Sequence, residues 1–440
     1  MMTIIDIWHN ALASLRTWLV RNNNAASGQP APNGHAQPVE AKFTPPRQVS
    51  PNAAFTPTRP RSGRRNLVGR QLELERILDA ILLDAGHVVL YSERGRGKTS
   101  LSNMAIEALR RRGAIVARFV CEAQTGFDTL FRGLLRDLPS SLASSAIVDG
   151  EGCESVLPGT SLRPADIATI PARLTCPRLV FVVDEFDRVQ DPETRTRLAD
   201  TIKLLSDRGI PLSLIIVGVS ATLEQIIGQH PSIERNITAI HLPLLEDDEI
   251  AEMLDKGGAQ AGLRFSDAAK AVVIGVARGM PYMAQLMGLR ITQAATSRGS
   301  DEVHDTDLLS AVQRLLRDAS PTVVSVYSGL VAGDVDGSVR ASLEALAGAE
   351  HDQWGRMGIS HAETGVVVIG GRRFAEPVWR HLQNSGVVGS PDGNANFVQF
   401  VDRPLMYHVQ LLCAREHLMA ETGSSDRVNA QRLRNLAVRA

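Results

Sequence analysis

The sequence predicts an α/β fold: a doubly wound parallel sheet, then an all-helical segment, then a C-terminal domain of helices and a hairpin. Three observations predict it. Between about residue 64 and residue 244, apolar runs of strand length alternate with amphipathic stretches of helical period. A Gly-rich turn separates the first of those runs from its helix. From Glu246 the pattern turns to helices alone, and beyond residue 320 it changes once more.

Composition bounds the rest. The 440 residues are 44% hydrophobic and 22% charged, which is the balance of a globular protein with a sizeable core. Formal net charge is −1, so no whole-molecule field draws in nucleic acid, and any such binding must come from a local patch. The four cysteines, Cys121, Cys153, Cys176 and Cys413, form no CxxC pair, which argues against a zinc site and a disulfide framework and fits a reducing cytoplasm. No apolar run approaches the roughly 18–20 residues that span a bilayer.

In chain order, residues 1–21 read as an amphipathic helix, with Ile5, Trp8, Leu12, Leu15 and Leu19 at helical spacing. It suits docking to a protein partner or to its own domain, or weak anchoring at a membrane surface. Residues 22–62, rich in Asn, Ala, Pro, Gly and Ser, read as a disordered linker. Its basic end, Arg59, Arg61, Arg64 and Arg65, is a solvated tail or a phosphate-tracking arm. Residues 63–244 form the α/β core. A helix opens at Leu67-Val68-Gly69-Arg70-Gln71, and His87-Val88-Val89-Leu90 is a buried parallel strand.

The stretch Ser92-Glu93-Arg94-Gly95-Arg96-Gly97-Lys98-Thr99-Ser100 then turns into the helix Leu101–Arg110. Strand, glycine-bearing turn and helix start make a phosphate cradle, because inward backbone N–H groups and the positive helix end both favour an anion. Lys98 would reach the outer phosphates of ATP, and the Thr99 hydroxyl would sit on Mg²⁺. Compared with GxxxxGK[ST], Ser92 replaces the first glycine. Arg94 and Arg96 read as surface charges of the loop.

Ala114–Val120 is a second strand, and residues 138–170 form an irregular insertion. Leu179-Val180-Phe181-Val182-Val183 is a strand that delivers Asp184 and Glu185 to the edge of a parallel sheet. Roughly 90 residues after a phosphate loop, that pair points to Asp184 in a magnesium shell and Glu185 as the base for an attacking water. Leu212–Val217 and Ile237–Leu242 supply the remaining strands. Residues 245–319 follow as a helical lid, with helices over residues 250–261, 267–277, 282–295 and 306–316.

These residues resemble the AAA+ P-loop ATPases, in the branch that groups origin-recognition-like initiators with STAND signalling ATPases. The resemblance covers about residues 64–320 and rests on Leu67-Val68-Gly69-Arg70 with Glu73, on Glu93 to Leu101, on Asp184-Glu185 and on Gly279-Met280-Pro281. It implies ATP hydrolysis with Mg²⁺ and contact of Pro281 with nucleotide. It also implies a polar γ-phosphate sensor after the fourth strand. Ala221 stands where initiators often carry asparagine, so Ser220 or Thr222 is the candidate. The lid position after Gly-x-Pro is Tyr282 where many members have arginine. Arg235, before the last strand, lies where similar ATPases present an arginine finger, which would require an ATP-dependent homo-oligomer; the other reading is a surface arginine paired with Glu234.

Residues 320–440 read as helices over residues 339–348 and 374–384, a hairpin from Gly386–Ser390 to Asn396–Val401, and a helix over residues 403–420. Helices followed by a hairpin resemble a winged helix. Arg372, Arg373 and Arg380, with His381, are placed on the helix before the wing, where a DNA reader would put them. Two readings stand: an ATP-driven switch or loader on DNA, and a STAND-like signalling ATPase whose winged helix binds protein or autoinhibits.

Overall fold

The computed structural model describes residues 49–57, 68–139, 142, 153–174, 178–220, 222–227, 233, 235–363, 365–390 and 394–437. The N-terminal helix, the four linker arginines, Ala221 and the hairpin tip Pro391-Asp392-Gly393 lie outside those residues.

The first sheet is five-stranded and parallel, built from β1 (His87–Ser92), β2 (Ile115–Val120), β3 (Leu179–Asp184), β4 (Leu212–Val219) and β5 (Ile237–His241) in the order β2-β3-β4-β1-β5. The apolar runs are continuous because both faces are buried. Val88, Leu90, Val180, Val182, Ile215 and Val217 face one hydrophobic cluster, with α1 (Gln71–Leu82) and α2 (Lys98–Arg111). Val89, Phe181, Val183, Leu214 and Ile216 face the other, with α3 (Phe127–Arg136) and α4 (Pro192–Asp207). One polar residue inside the sheet is satisfied locally: His87 Nδ1 accepts Leu214 N–H at 3.0 Å, and burial pushes its pKa down to about 4. The expected irregular insertion contributes Cys153, Val156, Leu162 and Ile167 to the second cluster, so it completes the core.

The lid is α5 (Asp247–Ala261), α6 (Asp267–Ala277), α7 (Pro281–Arg298) and α8 (Asp305–Arg317). All four expected helices are present, within a turn at each end. Ser266 caps α6 by accepting Ala269 N–H at 3.1 Å, and Gly262 ends α5 in the left-handed region. Composition placed residues 49–57 in the linker, and the structure corrects this. A short helix, Pro51–Ala54, and the fully buried Phe55 pack into the lid. The Phe55 ring occupies the space beside Gly257 and Gly288: a Cβ at either position would fall 2.3 and 2.4 Å from ring carbons. An isolated Phe in a Pro-rich stretch has no periodicity to betray it; the two helical glycines that receive it are the signal.

The C-terminal domain begins with α9 (Pro321–Val331) and α10 (Ser338–Ala347) and carries α11 (Glu376–Asn384). Its antiparallel sheet has β6 (Met357–Glu363), β7 (Val366–Ile369), β8 (Arg372–Ala375), β9 (Val388–Gly389) and β10 (Phe397–Phe400), in the order β8-β7-β6-β10-β9. The β9–β10 hairpin lies where the turn residues placed it. Strands β6 to β8 were not foreseen, and their presence corrects the helix expected from Phe374: Arg372 and Arg373 sit on β8, and only Arg380 is helical. The missed signal is Gly370-Gly371, both at positive φ, between two β-branched or alternating runs, which is the composition of a tight hairpin. The last helix, α12 (Arg403–Ala437), serves two cores. Tyr407, Leu411, Ala414 and Leu418 enter the lid cluster, while Leu405, Val409 and Cys413 enter the C-terminal one.

Candidate active site

β1 ends at Ser92, and the chain reverses through Glu93–Gly97 into α2. Gly95 and Gly97 hold φ of 88° and 92°, a region that L side chains rarely adopt, so glycine is required at both places. Residues 94–97 of the loop and 98–100 at the start of α2 line a cleft of about 510 Å³, and a helix start of this kind favours an anion. Lys98 is buried. Its Nζ donates to Ser92 O and Glu93 O at 2.8 Å each and lies 3.4 Å from Ser92 Oγ. Burial lowers its pKa to about 8 against the pull of Asp187, Asp184 and Glu93. The ammonium is thus lightly solvated and already aligned with the loop.

The acidic strand arrives on the facing side. Arg94 to Ser100, Asp184, Glu185, Asp187 and Pro281 all line the one cleft. Asp184 is buried; its Oδ1 accepts Glu185 N–H at 2.9 Å and its Oδ2 pairs with Arg118 of β2. Arg118 also donates to Asn103 Oδ1 at 2.8 Å. Sequence reading missed Arg118, although a lone arginine within an apolar strand is the cue. Glu185 has φ 54°, uncommon for a residue with a side chain and costing roughly 1–2 kcal/mol. Such a strained conformer beside a cleft motivates a functional role. Its carboxylate is about half exposed and pairs with Arg188 at 2.8 Å. Asp187 Oδ1 accepts Val219 N–H at 2.7 Å, tying the end of β4 to the turn after β3.

Some expected residues are placed elsewhere. Arg94 is exposed as expected, but Arg96 is 1% exposed, which corrects its reading as a surface charge. Its guanidinium donates to Leu242 O at 3.0 Å, Glu93 Oε2 at 2.9 Å and Trp354 O at 2.6 Å. Ser92 and Glu93 shape the loop without lining the cleft. Ser220 and Thr222, the sensor candidates, close a turn on each other: Ser220 Oγ donates to Thr222 O at 2.6 Å and accepts Thr222 N–H at 3.1 Å. Neither lines the cleft, whose wall there is Val217, Gly218 and Val219. Arg235 is exposed just before β5 and outside the cleft.

The other end of the cleft is apolar, with Pro57, Val68, Leu245 and Met253. Thr56 N–H donates to Gln285 Oε1 at 3.0 Å there, and Thr56 Oγ1 is buried without a hydrogen-bond partner among the described residues. A glycine-bearing loop at a helix start, apolar lining residues and an orphaned polar atom beside them fit a nucleotide. The oxygen donors Thr99 and Asp184 fit Mg²⁺, which takes one or two protein oxygens and keeps waters. Among the described residues no His/Cys/Asp/Glu group has the geometry of a protein-only metal site, and no helix is long and apolar enough to cross a membrane.

Residues 82–227 match the family profile described as AAA domain. No curated protein matches the chain. Among solved structures, the Aeropyrum pernix ORC2 protein in ADPNP–ADP complexes is similar at 14% identity, over 85% of this chain and 99% of that one, with a TM-score of 0.47. The Cdc6p of Pyrobaculum aerophilum is similar at 15% identity, over 83% and 98%, with a TM-score of 0.44. The Holliday junction branch migration motor RuvB of Thermotoga maritima is similar at 14% identity, over 76% and 93%, with a TM-score of 0.41. The residues that match the profile take in β1 with the loop that follows it and β3 with Asp184 at its end, the two strands being separated in the sheet by β4.

Proposed function

We propose that the protein binds ATP with Mg²⁺ in this cleft, hydrolyses it, and uses the nucleotide state as a switch or loader on DNA. The observation that supports the chemistry is the convergence of Lys98, Thr99, Asp184 and Glu185, from two segments far apart in sequence, on one cleft. Lys98 and the loop N–H groups hold the outer phosphates. Glu185 orients the attacking water and takes its proton as the oxygen attacks the γ-phosphorus in line with the leaving oxygen. Asp184 and Thr99 would hold the ion, and Arg118 pairs with the Asp184 carboxylate. Magnesium, when bound, draws charge from the phosphate oxygens. Pro281 starts α7 beside the loop and closes the cleft from the lid.

The DNA part is supported by the exposed Arg373 and Arg380 and the half-buried Arg372 around the start of α11, with the β9–β10 hairpin following in the same domain. ATP hydrolysis measured with and without duplex DNA at several salt concentrations tests it. Stimulation that fades as salt rises is expected, since phosphate contacts release counterions. Hydrolysis indifferent to DNA at every salt concentration would favour the second reading, a signalling switch whose C-terminal domain serves a protein. Two observations favour that reading: Arg380 is paired with Glu376 at 2.5 Å, and the whole-chain charge is −1.

Arg235 is proposed as an arginine finger in an ATP-dependent homo-oligomer, supported by its exposure just ahead of β5. A finger stabilises transition-state charge more than bound ATP. Arg235→Ala should therefore lower turnover by about a thousandfold with nucleotide affinity nearly unchanged. Mixing it with Lys98→Ala subunits should restore part of the activity, because one supplies the pocket and the other the arginine. A strictly monomeric particle with undiminished turnover would rule the finger out. The N-terminal helix, proposed to dock a protein partner, lies outside the described residues.

A further inference from the structure

The phosphate loop is held from outside its own domain. Glu93 Oε2 is shared by two guanidinium groups, Arg96 of the same loop at 2.9 Å and Arg403 of the C-terminal domain. Arg96 reaches on to Trp354 O in the segment leading to β6. The Trp354 indole lies flat on His241 (ring centroids 4.2 Å apart, interplanar angle 4°), and His241 lies flat on Tyr91 of β1 at 4.8 Å and 3°. Burial, with Arg96 nearby, pushes the His241 pKa down to about 4, so the stacked ring is neutral. Leu244 N–H donates to Gln353 O at 2.7 Å beside it.

Arg403 is the first residue of α12, where a cation opposes the helix dipole. Its placement is therefore not explained by helix stability, and its charge is directed at the loop. Neither Arg403, Glu93 nor Trp354 lines the cleft, so any effect they have on a ligand passes through the loop. Glu93 puts a negative charge two residues from Gly95, beside the place where phosphates sit. Two guanidinium groups neutralise it in the seated arrangement. With Arg403 withdrawn, the carboxylate keeps one partner, and the loop repels phosphate more strongly.

We propose that Arg403 is a positioning residue for nucleotide, acting through Glu93, so that seating of the C-terminal domain and occupancy of the phosphate loop strengthen each other. This rests on the reading of residues 92–100 as the nucleotide loop. Reciprocity is required: if the seated domain raises ATP affinity, ATP must hold the domain in place by the same factor. The nucleotide state is then sensed by the domain that carries the candidate partner surface.

A double-mutant cycle tests it, with ATP·Mg²⁺ affinity measured by calorimetry on the full chain. Arg403→Ala should weaken binding by about tenfold, the scale of one charge-assisted contact. In the Glu93→Gln background the same replacement should cost far less, because no carboxylate is left to expose. Trp354 emission, isolated by subtraction of Trp354→Phe, should change on ATP addition in the parent and lose that response in Arg403→Ala. Should Arg403→Ala not fold, Arg403→Lys, which keeps charge without the fork, should show an intermediate loss with the same dependence on Glu93. An Arg403 effect equal in both backgrounds, or no effect on affinity, overturns the proposal. Loss of binding in Lys98→Ala together with parental affinity in Arg403→Ala refutes this coupling alone, whereas parental affinity in Lys98→Ala refutes the loop reading beneath it.

Discussion

Glu185→Gln is expected to lower ATP turnover by at least about a hundredfold and to leave nucleotide affinity close to that of the parent. The amide keeps the size of the side chain and can still face water, but it cannot accept the proton that the attacking water must lose. Affinity should be spared because, in the proposed site, the phosphate contacts fall to Lys98 and the loop N–H groups and not to Glu185. The backbone at residue 185 has φ 54°, and its N–H donates to Asp184 Oδ1, a bond that does not involve the substituted side chain. Phosphate release under steady-state conditions, read beside calorimetric affinity, separates the two quantities. Retained hydrolysis would move the base to Asp187, which lines the same cleft although one of its oxygens is taken by Val219 N–H.

Lys98→Ala should have the second large effect, on binding. The parent ammonium is buried, with its pKa lowered to about 8, and it is held by the carbonyls of Ser92 and Glu93. A poorly solvated cation gains more from a phosphate than one that must shed water first. Its removal also leaves Ser92 O and Glu93 O without that donor. The expected loss of ATP affinity is about tenfold to a hundredfold, from the worth of a hydrogen bond to a charged group. The folded fraction, followed by circular dichroism, should stay near that of the parent, since solvent can enter the cleft and satisfy the carbonyls.

The core of this fold was legible in the sequence because its physics is local. Strands buried on both faces must be apolar throughout, so His87–Leu90 and Leu179–Val183 stand out, and the loop between β1 and α2 carries the residue types an anion requires. The four lid helices were legible from their period and from caps such as Ser266. What stayed hidden depends on partners distant in sequence. Phe55 is anchored by the absence of side chains at Gly257 and Gly288, more than 200 residues away. Arg96 looks like a surface charge within its loop, and its burial is created by Trp354 and Leu242. The pairing of Arg118 with Asp184 follows from strand register, which places Val120 opposite Asp184 and the arginine two residues earlier. Strands β6 to β8 were hidden because their polar positions, Ser360, His361 and Arg373, break the apolar run without giving helical spacing.

Crystals grown with a non-hydrolysable ATP analogue and Mg²⁺ test the central claim most directly. The expected density has phosphates against residues 95–100, an ion between Thr99 and Asp184, and the base against Val68 and Met253, with Thr56 Oγ1 in hydrogen-bonding reach of it. Nucleotide bound elsewhere on the chain, or an empty cleft at millimolar analogue, would contradict the account.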